Sequence, residues 1–155
     1  MGSGKFLGKL GKRRSEVEKE WEKLLHFVGL RPRSEKEVKD WLRRKRIEGK
    51  TAEELFNRLK RVRLVGDLEF SCWWIRQREE FRPRGRKMLV AELSAKGVAR
   101  EVIEAALGKE GFGEMEGARR VVGKLEKRVE GRGKMEAALV RRGFSWETIK
   151  EVMRG

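Results

Sequence analysis

Tyrosine is absent from this 155-residue chain, proline occurs twice, and cysteine and histidine occur once each. A lone Cys72 cannot close an intramolecular disulfide, which fits a reducing compartment. Cys72 and His26 fall short of the roughly four ligands a zinc site needs, and they are far apart in sequence. No metal and no cofactor is therefore expected. No apolar run approaches the roughly eighteen residues of a membrane-spanning helix, so no membrane association is expected. Residues 1–14 offer Phe6, Leu7 and Leu10 among glycines, lysines and arginines, which is too little for the apolar stretch of a secretion signal. They read as a flexible basic arm on a cytoplasmic protein. Strand-type alternation is missing throughout, and β-branched residues are few.

What the chain has is charge. Charged residues make up 42 % and hydrophobic ones 38 %, a balance that suits small helical units better than one thick globule. Forty Lys and Arg against twenty-five Asp and Glu leave a net charge of +15. Such an excess calls for an anionic partner, either a nucleic acid or an acidic protein surface.

Both prolines mark a repeat. Arg31-Pro32-Arg33-Ser34-Glu35-Lys36 is echoed by Arg82-Pro83-Arg84-Gly85-Arg86-Lys87, with Leu42 and Lys45 matching Leu93 and Lys96. A fainter third copy begins at Arg132-Gly133-Lys134-Met135. An echo at fixed period is the mark of tandem architecture. Ser15-x-x-Glu18, Ser34-x-x-Glu37 and Thr51-x-x-Glu54 have the form of capping boxes and predict helices over 15–29, 34–47 and 51–64. The first carries Val17, Trp21, Leu24, Leu25 and Val28 on one face, and Gly29 is a candidate left-handed terminator.

The triplet then recurs. Asp67 can cap a helix bearing Phe70, Trp73 and Trp74. Gly85 opens one with Leu89 and Leu93 that ends at Gly97, and Val98 to Leu107 supplies the next. After Gly111-Phe112-Gly113 come a helix with Ala118, Val121 and Leu125, one opened by Gly133 and ended by Gly143, and a last one capped by Ser145. Lys96-Gly97-Val98 and Arg142-Gly143-Phe144 align as equivalent joints. The expected fold is all-α. After the arm at 1–14 come three tandem three-helix repeats, at 15–66, 67–111 and 112–155, in an elongated, curved body.

At this point the chain resembles the RecX family, modulators of the RecA recombinase. The run Arg31 to Lys45 carries the likeness, together with Asp67-Leu68-Glu69-Phe70, the tail Arg76-Gln77-Arg78, and Lys96-Gly97-Val98 followed by Glu101-Val102-Ile103. Two departures stand out. Ser71-Cys72-Trp73-Trp74 is bulkier than the family's pattern, and the turn Arg46-Ile47-Glu48-Gly49-Lys50 reads as a longer joint than usual. The resemblance implies a non-enzymatic, monomeric regulator. It would lodge in the groove of the RecA–single-stranded-DNA filament and suppress ATPase, strand exchange and co-protease activity, with DNA touched directly or through RecA.

The charge pattern points the same way. Residues 76–87 hold six cations against Glu79 and Glu80, a net +4. The candidate binding residues are the basic turns and faces: Arg31, Arg33, Arg43, Arg44, Arg76, Arg78, Arg82, Arg84, Arg86, Lys87, Arg132 and Lys134. The bland reading of each turn is a solvated loop that opens a helix. Two other function classes stay open, a general nucleic-acid-binding helical protein and an adaptor for another acidic protein. Trp21, Trp41 and Trp73 read as core, Trp74 as core or base platform, Trp146 as half exposed, and Cys72 as a small buried hydrophobe. Gly2-Ser3-Gly4-Lys5 lacks the leading Gly and trailing Ser or Thr of a phosphate loop. Carboxylates alternate with Lys and Arg at ion-pair spacings, no nucleophile–base pair is visible, and no catalytic residue is assigned.

Overall fold

The computed structural model describes residues 3–155, with side chains from Gly8 onward. Nine helices and no strand occur among these residues: α1 (Ser3–Leu30), α2 (Glu35–Arg44), α3 (Gly49–Arg61), α4 (Asp67–Phe81), α5 (Arg86–Ala95), α6 (Arg100–Lys109), α7 (Glu114–Leu125), α8 (Arg132–Arg141) and α9 (Trp146–Arg154). The chain divides into two compact units, Met1–Gly66 and Asp67–Gly155.

In the first unit Trp21, Leu24 and Val28 of α1 pack with Val38, Trp41 and Leu42 of α2 and with Leu55 and Leu59 of α3. Ser34 forms the expected capping box. Its hydroxyl accepts from the Glu37 amide while Glu37 accepts from the Ser34 amide. The other two boxes are not used. α1 begins at Ser3 and runs through Ser15, so residues 3–14 continue the helix where an arm was expected. Lys, Leu and Arg there favour helix, and no proline interrupts them. Met1 and Gly2 lie outside the described residues. Gly29 sits inside α1 rather than ending it. α3 starts at Gly49 behind Glu48, which places Thr51 in the first turn.

The second unit holds two triplets. Phe70, Cys72, Ile75, Leu89, Leu93, Ile103 and Leu107 centre the first of them, formed by α4, α5 and α6. Ala118, Val121, Met135, Leu139, Phe144 and Ile149 centre the other, formed by α7, α8 and α9. Gly85 and Ser145 stand at the expected N-caps, whereas α8 opens behind Gly131 rather than at Gly133.

The joint after the second helix is the same in all three triplets. Arg46, Gly97 and Gly143 adopt left-handed backbone at φ 58°, 81° and 84°. The following amides of Ile47, Val98 and Phe144 bond back to the carbonyls of Leu42, Leu93 and Leu139. The first joint is therefore no longer than the others. It differs because an arginine takes the glycine's place, a position that costs an L-residue about 1 kcal/mol or more.

Candidate functional site

The two proline turns share a backbone plan but differ in what neutralises them. In the first copy Arg31 reaches Glu37 at 2.7 Å, and Arg33 donates through Nε to the Phe27 carbonyl at 3.2 Å. The Arg33 guanidinium also lies 4.0 Å from the centroid of Phe27, whose other neighbour is the Trp41 ring, stacked at 5.5 Å. Both arginines are thus engaged in closing the first triplet. In the second copy Met88 stands where Glu37 stood and Gly85 where Ser34 stood. Without that carboxylate, the Arg82 side chain is exposed and makes no ion pair or hydrogen bond among the described residues.

Replacing Ser34 by Gly85 has a second effect. The Gly85 amide donates to the Arg142 carbonyl at 2.9 Å. A Cβ on Gly85 would sit 2.1 Å from the Gly143 oxygen, and one on Gly143 would sit 2.4 Å from the Met88 Cβ. Only the absence of both side chains lets the third triplet approach the second so closely. Glu114 locks the contact. Its carboxylate accepts from the Arg86 amide (2.8 Å), the Ser145 amide (3.1 Å), the Ser145 hydroxyl (2.8 Å) and the Thr148 hydroxyl (2.7 Å). One side chain from α7 thereby serves the N-termini of α5 and α9, including the one whose glycine cap has no oxygen to offer. Burial opposes ionisation of Glu114, but the bonds from Thr148, Ser145 and Arg86 outweigh it and hold its carboxyl below the usual range.

This docking encloses a cleft of about 450 Å³ between α4 and its turn on one side and α7 with the α8–α9 joint on the other. Its charged lining is Arg82, Arg84, Lys124, Arg128 and Arg142, with no acid among the lining residues. Phe81, 63 % exposed, stands at the edge. Arg82, Lys124 and Arg128 have no ion-pair partner among the described residues. Arg84 is half-buried; its Nε has no hydrogen-bond partner but forms a long ion pair with Glu92 at 3.9 Å. Arg142 donates to the Ala138 carbonyl at 2.9 Å. Burial, then repulsion from Arg84 and Arg141, pushes its pKa below that of an ordinary arginine. Across Pro83 and Arg84 lies a second cleft, of about 690 Å³, with mixed charge. There Arg120 donates to the Glu79 carbonyl, and burial together with Glu110 raises the Glu79 carboxyl.

The remaining sequence candidates scatter. Arg43 pairs with Asp40 at 2.6 Å, Arg76 with Glu110 at 2.5 Å, Arg132 with Glu136 at 3.0 Å, and Arg86 with Glu104. Arg78 donates to Glu92 at 2.8 Å over the Trp74 ring, whose indole N–H also reaches Glu92. Arg44, Lys87 and Lys134 are exposed and unpaired among the described residues. Of the twelve candidates, the structure brings only Arg82 and Arg84 to this cleft. It adds Lys124, Arg128 and Arg142, which sequence reasoning missed. The i,i+4 pair Lys124 and Arg128 and the aligned joint residue Arg142 were the available signals. Trp21 and Trp41 are buried, Trp73 and Trp74 are half-buried against Phe70, and Trp146 is exposed. Cys72 is buried, and burial followed by Glu110 pushes its thiol up, away from reactivity. No group of metal-ligating side chains occurs among the described residues, and no described helix is long and apolar enough to cross a membrane.

Helical triplets in tandem, joined by one recurring left-handed turn and carrying an unpaired cation, Arg82, on the second proline turn, define a small-module helical-repeat protein. Comparison with known proteins gives the particular family. The model of the RecX first three-helix domain matches residues 21–59, and that of the RecX second three-helix domain matches residues 67–107. The chain belongs to the RecX family. It is 31 % identical over 144 residues to the regulatory protein RecX of Geobacillus thermodenitrificans, covering 88 % of this chain and 54 % of that protein. To the regulatory protein RecX of Prosthecochloris aestuarii it is 29 % identical over 147 residues, covering 90 % and 94 % respectively. It spans only about half the length of several such relatives, 54 to 56 %. The crystal structure of RecX from Lactobacillus salivarius shares the fold, with a TM-score of 0.75 at 24 % identity over 91 % of this chain and 96 % of that one. A second RecX crystal structure reaches 0.79 at 18 % identity, over 93 % and 76 %.

Proposed function

We propose that this chain is a non-enzymatic cytoplasmic regulator that seats on the RecA–single-stranded-DNA filament. Acting as a monomer, without a cofactor, it reduces RecA ATPase, strand exchange and co-protease activity, and so tunes recombinational repair and the SOS response. Family membership supports the regulatory role. The observation that carries the contact is the second proline turn, where Arg82 stands without the counter-ion its equivalent Arg31 has in Glu37. An exposed cation that the fold does not use is available to an anionic groove.

The test is DNA-stimulated ATP hydrolysis by RecA with the chain added well below one copy per recombinase. Inhibition at that ratio, persisting in moderate salt, is the expected result. Inhibition that appears only when the DNA is coated, and that salt abolishes, would instead establish the second reading, a general nucleic-acid-binding protein. The all-cation cleft is what favours that alternative.

A further inference from the structure

We propose that the third triplet is a positioning element for the second proline turn, with Glu114 and Gly117 of α7 as the positioning residues. This rests on the reading above and adds what regulates the contact. Arg82 and Arg84 meet a partner in one fixed geometry only while the third triplet is docked.

The two proline turns are closed by different means. In the first, every bond is local. The Ser34 amide donates to the Glu37 carboxylate at 3.0 Å, and the Glu37 amide donates to the Ser34 hydroxyl at 3.1 Å. Glu37 also holds Arg31, and Pro32 is exposed. Such a box closes on its own residues and needs no other element.

The second turn has no such means, because Gly85 lacks a hydroxyl and Met88 a carboxylate. Two of its amides are satisfied from the third triplet instead. Gly85 donates to the Arg142 carbonyl at 2.9 Å, and Arg86 donates to the Glu114 carboxylate at 2.8 Å. Pro83 is buried, and a Cβ on Gly117 would meet the Pro83 Cβ at 3.3 Å. The turn is thus gripped at residues 83, 85 and 86 by α7 and the α8–α9 joint. Undocking would strip both amides of their acceptors and free the turn to take other conformations. Ordering a loop at the moment of contact subtracts from affinity, so the third triplet sets the strength of a contact it need not touch.

The experiment drives a wedge between the triplets and reads two quantities on the full chain. Gly117→Leu projects a side chain at Pro83 while raising the helix propensity of α7. Gly123→Leu, the same change where nothing lies within 4 Å, is the control. In the free chain, hydrogen exchange of the Gly85 and Arg86 amides should quicken about tenfold or more in Gly117→Leu. The Ser34 amide should be unaffected, and the control should match the parent. Half-inhibition of RecA ATPase should then need about fivefold more of the Gly117→Leu chain. Glu114→Gln, a milder change, should move both readouts in the same direction. Adding Gly85→Ser and Met88→Gln to Gly117→Leu supplies a self-contained box. It should return the amide at position 85 to slow exchange and restore inhibition. Unchanged exchange in both Gly117→Leu and Glu114→Gln would overturn the proposal. So would restored amide protection without restored inhibition, which would put the third triplet itself on the filament. If the parent fails to inhibit RecA, the reading above falls, while amide exchange still decides whether the third triplet sets the turn.

Discussion

At the scale of the residue, the behaviour of an arginine in this chain is decided by one neighbour. Arg31 and Arg82 occupy the same position in two copies of one turn. Glu37 fixes the first and Met88 leaves the second free. Glu114 is the converse case, an acid whose partners lie 28 to 34 residues away in sequence. Its depressed pKa has a definite consequence for pH. The stability it contributes is fully present above the ordinary carboxylate value, about 4.3, and is lost as pH falls through the lower folded value. Glu114→Gln should therefore lower stability at neutral pH by about 1–2 kcal/mol and flatten the acid limb of the stability curve. Urea unfolding across the acid range checks this, and an unchanged limb would assign the pH dependence to other carboxylates.

Among the elements, the joint between second and third helices is the most regular feature and holds the clearest local conflict. Arg46 takes a left-handed conformation that its equivalents assign to glycine. Arg46→Gly should stabilise the first unit by about 1 kcal/mol, read as an upward shift of the denaturation midpoint. The approach of Gly85 to Gly143 makes the opposite prediction. Gly85 has φ −75°, a value alanine adopts freely, so the cost of Gly85→Ala would be purely steric. It should destabilise by about 3 kcal/mol. Gly123→Ala, which meets nothing within 4 Å inside α7, should instead stabilise by about 0.5–1 kcal/mol. If the two alanine variants unfold alike, the close contact between triplets is not what holds the third one in place.

For the molecule as a whole, the net charge of +15 divides into cations that the fold consumes and cations that it leaves available. Arg82→Ala with Arg84→Ala removes one of each kind. It should weaken inhibition of RecA ATPase while preserving helix content, measured as the concentration giving half-inhibition beside a far-ultraviolet spectrum. A double variant as inhibitory as the parent would take the second proline turn out of the mechanism.

Helices were legible in the sequence wherever a local rule had no competitor. The Ser34–Glu37 box and the face of Trp21, Leu24 and Val28 are both reproduced in the structure. The start of α1 was not legible, because Ser15 has the form of a cap and Gly4, Gly8 and Gly11 ahead of it disfavour helix, yet no proline stops the helix from running through them. The left-handed Arg46 was equally hidden, since an arginine carries no sequence mark of that conformation.

By itself the sequence determined the helical triplets, their repetition and the excess of positive charge, because each depends on spacings of a few residues or on composition alone. Only the tertiary structure decided which cations are free and where they gather. Arg82, Lys124, Arg128 and Arg142 come from three separate stretches, and they meet because two glycines allow two backbones to touch. A charge is neutralised or left open by what lies within a few ångströms of it in space, and that distance is set by packing.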